Sequence, residues 1–328
     1  MGCGDLRLAT AAARGVDGRA VERSLHEALR LGMQLVDVGD EEDAERLCGD
    51  AIRALRLRDT IVLASRVPQL MPLFGRPDRD LLPERLPALY VQERIETTLR
   101  RTRLDVIPLV QLPVRAAWRA STAWPELAGT CARLAREGKV MMFAAALADA
   151  DGAADFAAEP WLAALALPYS ACTRLDDALL DGKLPILARQ PLAGGALAGT
   201  LGPGVALAPK DDRRSLDEPA LERLAVLAAT LAPLVKHEPP AARSCAPAKQ
   251  ALERGRRPAH LEADTVAELA LRYVCDRAIA LPRLNNRQHL AEAITAASAP
   301  PLSRALRDSI DEMLAKLPRP TPSADDQE

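Results

Sequence analysis

Asp37 stands inside the short apolar run Leu35-Val36-Asp37-Val38, with Gly39 and Asp40 directly after it. A carboxylate at the end of such a run can pass a proton, cap a helix or satisfy donors at the rim of a sheet. Glu41 and Glu42 follow at once. Either could serve as a general acid if buried, and an acidic loop of this kind can also be a solvated surface. Arg66 closes a second apolar run, Ile61-Val62-Leu63-Ala64-Ser65. A guanidinium can polarise a carbonyl oxygen but holds its protons too firmly to act as an acid, and beside Asp37 it would make a plain buried ion pair. Near the other end of the chain Arg283 and His289 read plainly as a surface pair at a helix end. The six cysteines have no C-x-x-C spacing and only four histidines accompany them, so no metal site and no disulfide framework is expected.

These residues need elements to place them, and the chain supplies a regular alternation. Strands are expected at 4–9, around Asp37, and at 61–65, 106–112, 140–146, 162–167, 185–189 and 278–281. Helical patterns lie between them, at 18–31, 44–55, 89–103, 218–236 and 265–276, with two more at 287–297 and 303–316. Eight such units predict an α/β fold, a (β/α)8 TIM barrel with an extra C-terminal helix, over residues 1–317. Pro108 lacks the ladder donor, so its strand must bulge or pair on one side there. The glycines of Pro191-Leu192-Ala193-Gly194-Gly195 let backbone approach a neighbour or a ligand. Residues 237–262 interrupt the rhythm with prolines and basic residues, as a solvated linker or a partner-docking loop, and the tail 318–328 reads as disordered.

Composition narrows the function. The 328 residues are 48% hydrophobic and only 3% aromatic, so the core is built mainly of Leu, Ala, Val and Ile. With 43 basic against 45 acidic side chains the chain has no electrostatic footprint for nucleic acid. No apolar run approaches the length of a membrane span and no leader pattern stands at the start, so a cytoplasmic protein is expected. Its partner would be another protein or a small-molecule ligand, with no nucleic acid and no membrane.

Several runs, in order, resemble the aldo-keto reductase family. Thr98-Leu99-Arg100-Arg101 through Asp105-Val106-Ile107 to Val110-Gln111-Leu112 is similar to its S-L-R-R-L…D-Y-I-D-L-Y-Q-L-H. Arg136-Glu137-Gly138-Lys139-Val140 is similar to E-G-K-V-R, Pro168-Tyr169-Ser170 to Q-x-P-Y-S, and Pro191 to Gly195 to S-P-L-A-G-G. The resemblance implies the barrel, NADPH as hydride donor, and a tetrad of Asp, Tyr, Lys and His at the strand ends. Asp37 aligns with the Asp. Glu41 and Glu42 stand near the Tyr position, Arg66 at the Lys and Pro113 at the His. The family's contacts to the nicotinamide carboxamide read Ala146, Leu147 and Ala166 here, and its ring-stacking aromatic reads Arg189. Toward the adenosine, Arg283, His289 and Glu292 keep a phosphate- and adenine-like set, with Ala293 in place of an Asn. NADP is thus the cofactor the resemblance allows without requiring it. The expected function is a pseudoenzyme that binds a partner or a small ligand without redox turnover. The alternative is an NADP-dependent oxidoreductase reducing a carbonyl with altered acid-base residues, and a lyase or isomerase reusing the same mouth is a third.

Overall fold

The computed structural model describes residues 3–6, 8–71, 81–237, 262–283 and 287–316. Its strands are β1 (Cys3–Asp5), β2 (Leu35–Gly39), β3 (Val62–Arg66), β4 (Ile107–Pro113), β5 (Val140–Ala146), β6 (Leu162–Pro168), β7 (Ile186–Arg189), β8 (Val235–His237), β9 (Ala263–Thr265) and β10 (Ile279–Ala280). Eight of them run parallel in the order β1-β2-β3-β4-β5-β6-β7-β10. β1 also comes against β10, so the sheet curls into an α/β barrel.

Successive side chains on a strand point to opposite faces. One buried cluster therefore gathers the inner set: Leu35, Ala64, Leu109, Ala144, Ala164 and Leu187, with Ala146, Ala166 and Leu281 further along. The outer set, among them Val36, Leu63, Val110, Phe143 and Ile186, packs against Leu25, Ile52, Val91, Ile95 and Leu127 of the surrounding helices. Each large aliphatic side chain buried this way contributes about 1.5–3 kcal/mol. Two residues beyond Leu35, Ala64, Leu109 and Leu187 the same inward parity reaches Asp37, Arg66, Gln111 and Arg189. The alternation that builds the core thus delivers the polar groups to the mouth.

The extra C-terminal helix, Arg304–Ala315, lays Ile310 and Leu314 on a second core shared with helices Glu218–Leu231 and Val266–Cys275. Tyr273 donates to Asp311 Oδ1 at 2.7 Å, and Arg307 stands 4.5 Å over the Tyr273 ring while it pairs with Asp276 at 2.7 Å.

Some expectations change. The first strand is shorter than 4–9, because the alanine-rich Leu8–Ala13 turns helical. The helix expected to reach residue 236 ends at Leu231; Pro233 follows, and the β-branched Val235 starts β8, which pairs in parallel with β9. Around Pro108 the strand pairs on the β5 side only: Ile107 N donates toward β5, the next position faces β3, and pairing with β3 begins at Leu109. Most of the 237–262 insert and the tail 318–328 lie outside the described residues.

Outside the barrel, helices Glu42–Ala54 and Ala88–Thr102 meet across a buried carboxylate. Glu45 has no exposed surface, and it accepts from Ser65 Oγ (2.9 Å), Thr98 Oγ1 (2.8 Å), Arg94 Nη2 (3.3 Å) and Arg101 Nη1 (3.2 Å). Gly49 on the first helix permits the close approach, since a Cβ there would overlap the Thr102 backbone. Replacing Glu45 by Ala takes the carboxylate from Arg94 and leaves Arg101 with Glu42 alone, while the hydroxyls of Ser65 and Thr98 lose their acceptor. A loss of about 3–5 kcal/mol is expected, read as a lower urea midpoint with an unchanged slope. A midpoint within error of the parent would show that the node does not hold the helices.

Candidate functional site

The strand ends open into a cavity of about 1820 Å³ lined by Asp37, Arg66 and Arg189, and also by Arg283, His289 and Glu292. The two candidate groups therefore share one cavity. Asp37 is 2% exposed, at a point where β2 shifts register against β3 and Gly39 adopts a φ of 61°. Its Oδ1 accepts from Gly39 N and from Gln111 Nε2, both at 2.9 Å. Arg66 Nη2 lies 3.6 Å from Asp37 Oδ2 and 3.5 Å from Gln111 Oε1. Charge-assisted N–H···O bonds normally measure about 2.7–2.9 Å, so this pair is loose. Arg66 and Gln111 are register partners on β3 and β4, and three neighbouring strands supply the cluster.

Glu41 does not join it. Its Oε2 accepts from Ala9 N at 2.8 Å, serving an open amide at the start of helix Leu8–Ala13, and it does not line the cavity. Glu42 is paired with Arg101 at 2.6 Å and with Arg46. Pro113 ends β4, where its carbonyl accepts from Gln69 Nε2 at 3.0 Å; its side chain offers no proton. None of the three tyrosines of the sequence, Tyr90, Tyr169 and Tyr273, lines the cavity. Burial pushes the thiols of Cys48 and Cys172 up to about 12, which keeps them protonated and poor nucleophiles. Among the described residues no group of three His, Cys, Asp or Glu side chains could hold a metal.

On the β5–β6 wall Ala146 and Ala166 are buried alkyl groups, and Arg189 Nη2 donates to the Leu147 carbonyl. A nicotinamide carboxamide would find no side-chain amide or hydroxyl at 146, 147 or 166, so these residues do not fit that half of a dinucleotide. The other half is better provided. Arg283 lines the cavity, and its charge, after the hydrogen bond and charge of Arg14, helps hold the Asp212 carboxyl low against the opposing effect of burial. Burial lowers the His289 pKa and Glu292 opposes it, so His289 is neutral near pH 7 and could offer a hydrogen bond there, not a charge.

The glycine stretch after β7 is tied to the chain rather than left open as a cradle. Arg213 Nη1 donates to the carbonyls of Gly194 (2.9 Å) and Thr200 (3.3 Å), while Nε and Nη2 grip Asp211 at 2.9 and 2.7 Å. Gly195 has a φ of 108°, and a Cβ there would come 2.9 Å from Arg213 Nη1. Arg14 in turn donates from Nε and Nη2 to Asp212 at 3.0 and 3.1 Å. Reasoning from the sequence missed Arg14, Arg213 and Gln111. Only Gln111 had a signal, the inward parity it shares with Leu109, because the arginine contacts join distant segments.

Comparison with known proteins agrees with this architecture. The model of the aldo/keto reductase family matches residues 1–315, and the chain belongs to that family. Similar solved structures include the glycerol dehydrogenase AKR11B4 from Gluconobacter oxydans, 18% identical over 98% of this chain and 94% of that one, with a TM-score of 0.68. The holo form of aldo-keto reductase AKR11C1 from Bacillus halodurans is 18% identical over 94% and 91%, with a TM-score of 0.64. An aldo-keto reductase from Klebsiella pneumoniae in complex with NADPH is 20% identical over 98% and 92%, with a TM-score of 0.58. No curated protein matches. No helix among the described residues is long and apolar enough to cross a membrane.

The Asp211–Arg213 bond sets a pH dependence. Hydrogen bonding to Arg213 holds the Asp211 carboxyl at about 2, against an ordinary value of 3.8. A carboxyl lowered in the folded state contributes stability that is complete above its unfolded value and lost as pH falls through the folded one. Arg213→Gln should therefore move the acid-unfolding midpoint, followed by circular dichroism, to higher pH, and should cost about 2 kcal/mol at neutral pH. An unchanged midpoint would count against the pairing.

Proposed function

We propose that this barrel binds a ligand at its mouth and does not transfer hydride, a pseudoenzyme of the aldo/keto reductase family. One observation carries the reading: the Asp37 carboxylate faces a carboxamide and a guanidinium, and no tyrosine lines the cavity. Carbonyl reduction needs a group that gives up a proton as charge develops, and such general acids are worth about 10²–10⁴ in rate. Gln111 has no titratable proton, and Arg66 keeps its own. The alkyl wall at Ala146 and Ala166 adds to the loss, since a misplaced hydride donor can cost about a hundredfold. Four unpaired cysteines, Cys48, Cys131, Cys172 and Cys275, agree with a reducing, cytoplasmic setting.

A second reading is an NADP-dependent oxidoreductase with altered acid-base residues. It draws on the single cavity that joins Asp37 and Arg66 to Arg283 and Glu292, and on the NADPH complex of the Klebsiella pneumoniae relative. Purified protein supplied with NADPH and a panel of aldehydes and ketones should oxidise no cofactor beyond the protein-free rate. Turnover that disappears in Asp37→Asn would overturn the proposal and install the second reading. Cofactor fluorescence in the same samples, with Arg283→Ala as control, tests whether NADPH remains a ligand without being a reactant.

A further inference from the structure

We infer that the mouth between Arg66 and Arg189 receives a small organic oxyanion, a carboxylate or a phosphate monoester; this names the ligand class of the site proposed above and rests on its non-redox reading. Arg66 is the first support. Its side chain is 12% exposed, its buried Nε has no hydrogen-bond partner, and its two Nη2 contacts are long, at 3.5 and 3.6 Å. A guanidinium carries five N–H donors, and leaving one buried and unmet is costly. An oxyanion that meets the guanidinium from the cavity would supply the short charge-assisted contact that its long Nη2 contacts lack.

Asp37 does not satisfy this demand, because its Oδ1 is held by Gly39 and Gln111 and its Oδ2 stays 3.6 Å from Arg66. It is also the only carboxylate that the described barrel strands contribute to the cavity lining. The charge of Arg66 is therefore only partly offset from within the barrel. Arg189 brings a second guanidinium from the end of β7 to the same cavity. The two lean the same way. Arg66 reaches Gln111 on β4, and Arg189 reaches the Leu147 carbonyl just past β5, the strand paired with β4 through Pro113 and Ala146. Leu281 and Leu192 line the cavity as apolar support for the rest of an organic anion.

The test is calorimetric titration of the full chain with citrate and with inorganic phosphate, and with glycerol as a neutral control; thermal melting runs in parallel. Saturable binding of either anion, and none of glycerol, is expected, and the tighter of the two identifies the head group. Arg66→Gln and Arg189→Gln should each weaken it by about tenfold or more, the effect of one lost charge-assisted contact. Asp37→Asn removes the competing carboxylate and should strengthen it by several-fold, a gain that a merely damaged fold cannot produce. Absence of saturable binding to both the parent and Asp37→Asn overturns the proposal, as does binding of parental strength in both arginine variants. Silence in calorimetry together with silence in the NADPH assay removes this inference alone, whereas NADPH turnover removes the reading beneath it as well.

Discussion

A carboxylate with no exposed surface fixes the rim of this barrel. Removing Glu45 from water costs several kcal/mol, and the cost is offset only because hydroxyls from Ser65 and Thr98 and guanidiniums from Arg94 and Arg101 converge on it. Those donors come from β3 and from helix Ala88–Thr102, while Glu45 itself belongs to helix Glu42–Ala54. One side chain thus clamps two helices to the strand that carries Arg66. Arg94 adds a bond to the Asp40 carbonyl, just past the end of β2, and so draws that strand into the clamp. The outer face of the rim is held by bonds of 2.8–3.3 Å, while across the inner face Arg66 meets Gln111 and Asp37 at 3.5–3.6 Å. Backbone positions at the mouth are thus set from outside as well, while the inward guanidinium is held by long contacts.

How much of this could be read from the sequence depends on the range of the interaction. Period-two apolar runs announced the barrel strands, and β5 falls where the pattern places it. The same parity announced Asp37 and Arg66, since a charged residue at the end of an apolar run has few places to go except the mouth. Elements decided by local propensity against pattern were harder. Leu8–Ala13 alternates weakly but is too rich in alanine to stay extended, and β8 depends on a partner, β9, that lies beyond the insert. Contacts between remote segments were invisible. Nothing near Glu41 names Ala9 as its partner, and nothing near Arg213 names the Gly194 carbonyl.

On the proposed reading, descent and chemistry separate at this mouth. The barrel keeps the family's strand order and carries Asp37 on β2, and the residue retains local reasons to stay, because its Oδ1 satisfies the Gly39 amide at the β2 register shift. Its survival is therefore no sign of proton transfer. Gln111 completes the same oxygen, so Oδ1 is already engaged by two donors. Past β5 and along β6, alkyl groups at 146 and 166 accompany a guanidinium at 189 that donates to the 147 carbonyl.

On the reading proposed above, the fixed charges of Arg66 and Arg189 serve recognition over turnover. Rate acceleration requires interactions that strengthen between ground state and transition state, and for carbonyl reduction that means a group whose protonation changes as oxygen gains charge. An arginine can stabilise a developing alkoxide but does not surrender its proton to it, and a glutamine changes its charge in neither state. Toward a ligand that is already an anion, static charge of this kind lowers the free energy as much at the start as at any later point. Uniform stabilisation of that sort raises affinity and leaves the barrier where it was. Arg66 and Arg189, set at the mouth of the barrel, are suited on this reading to hold an oxyanion and poorly suited to transform one.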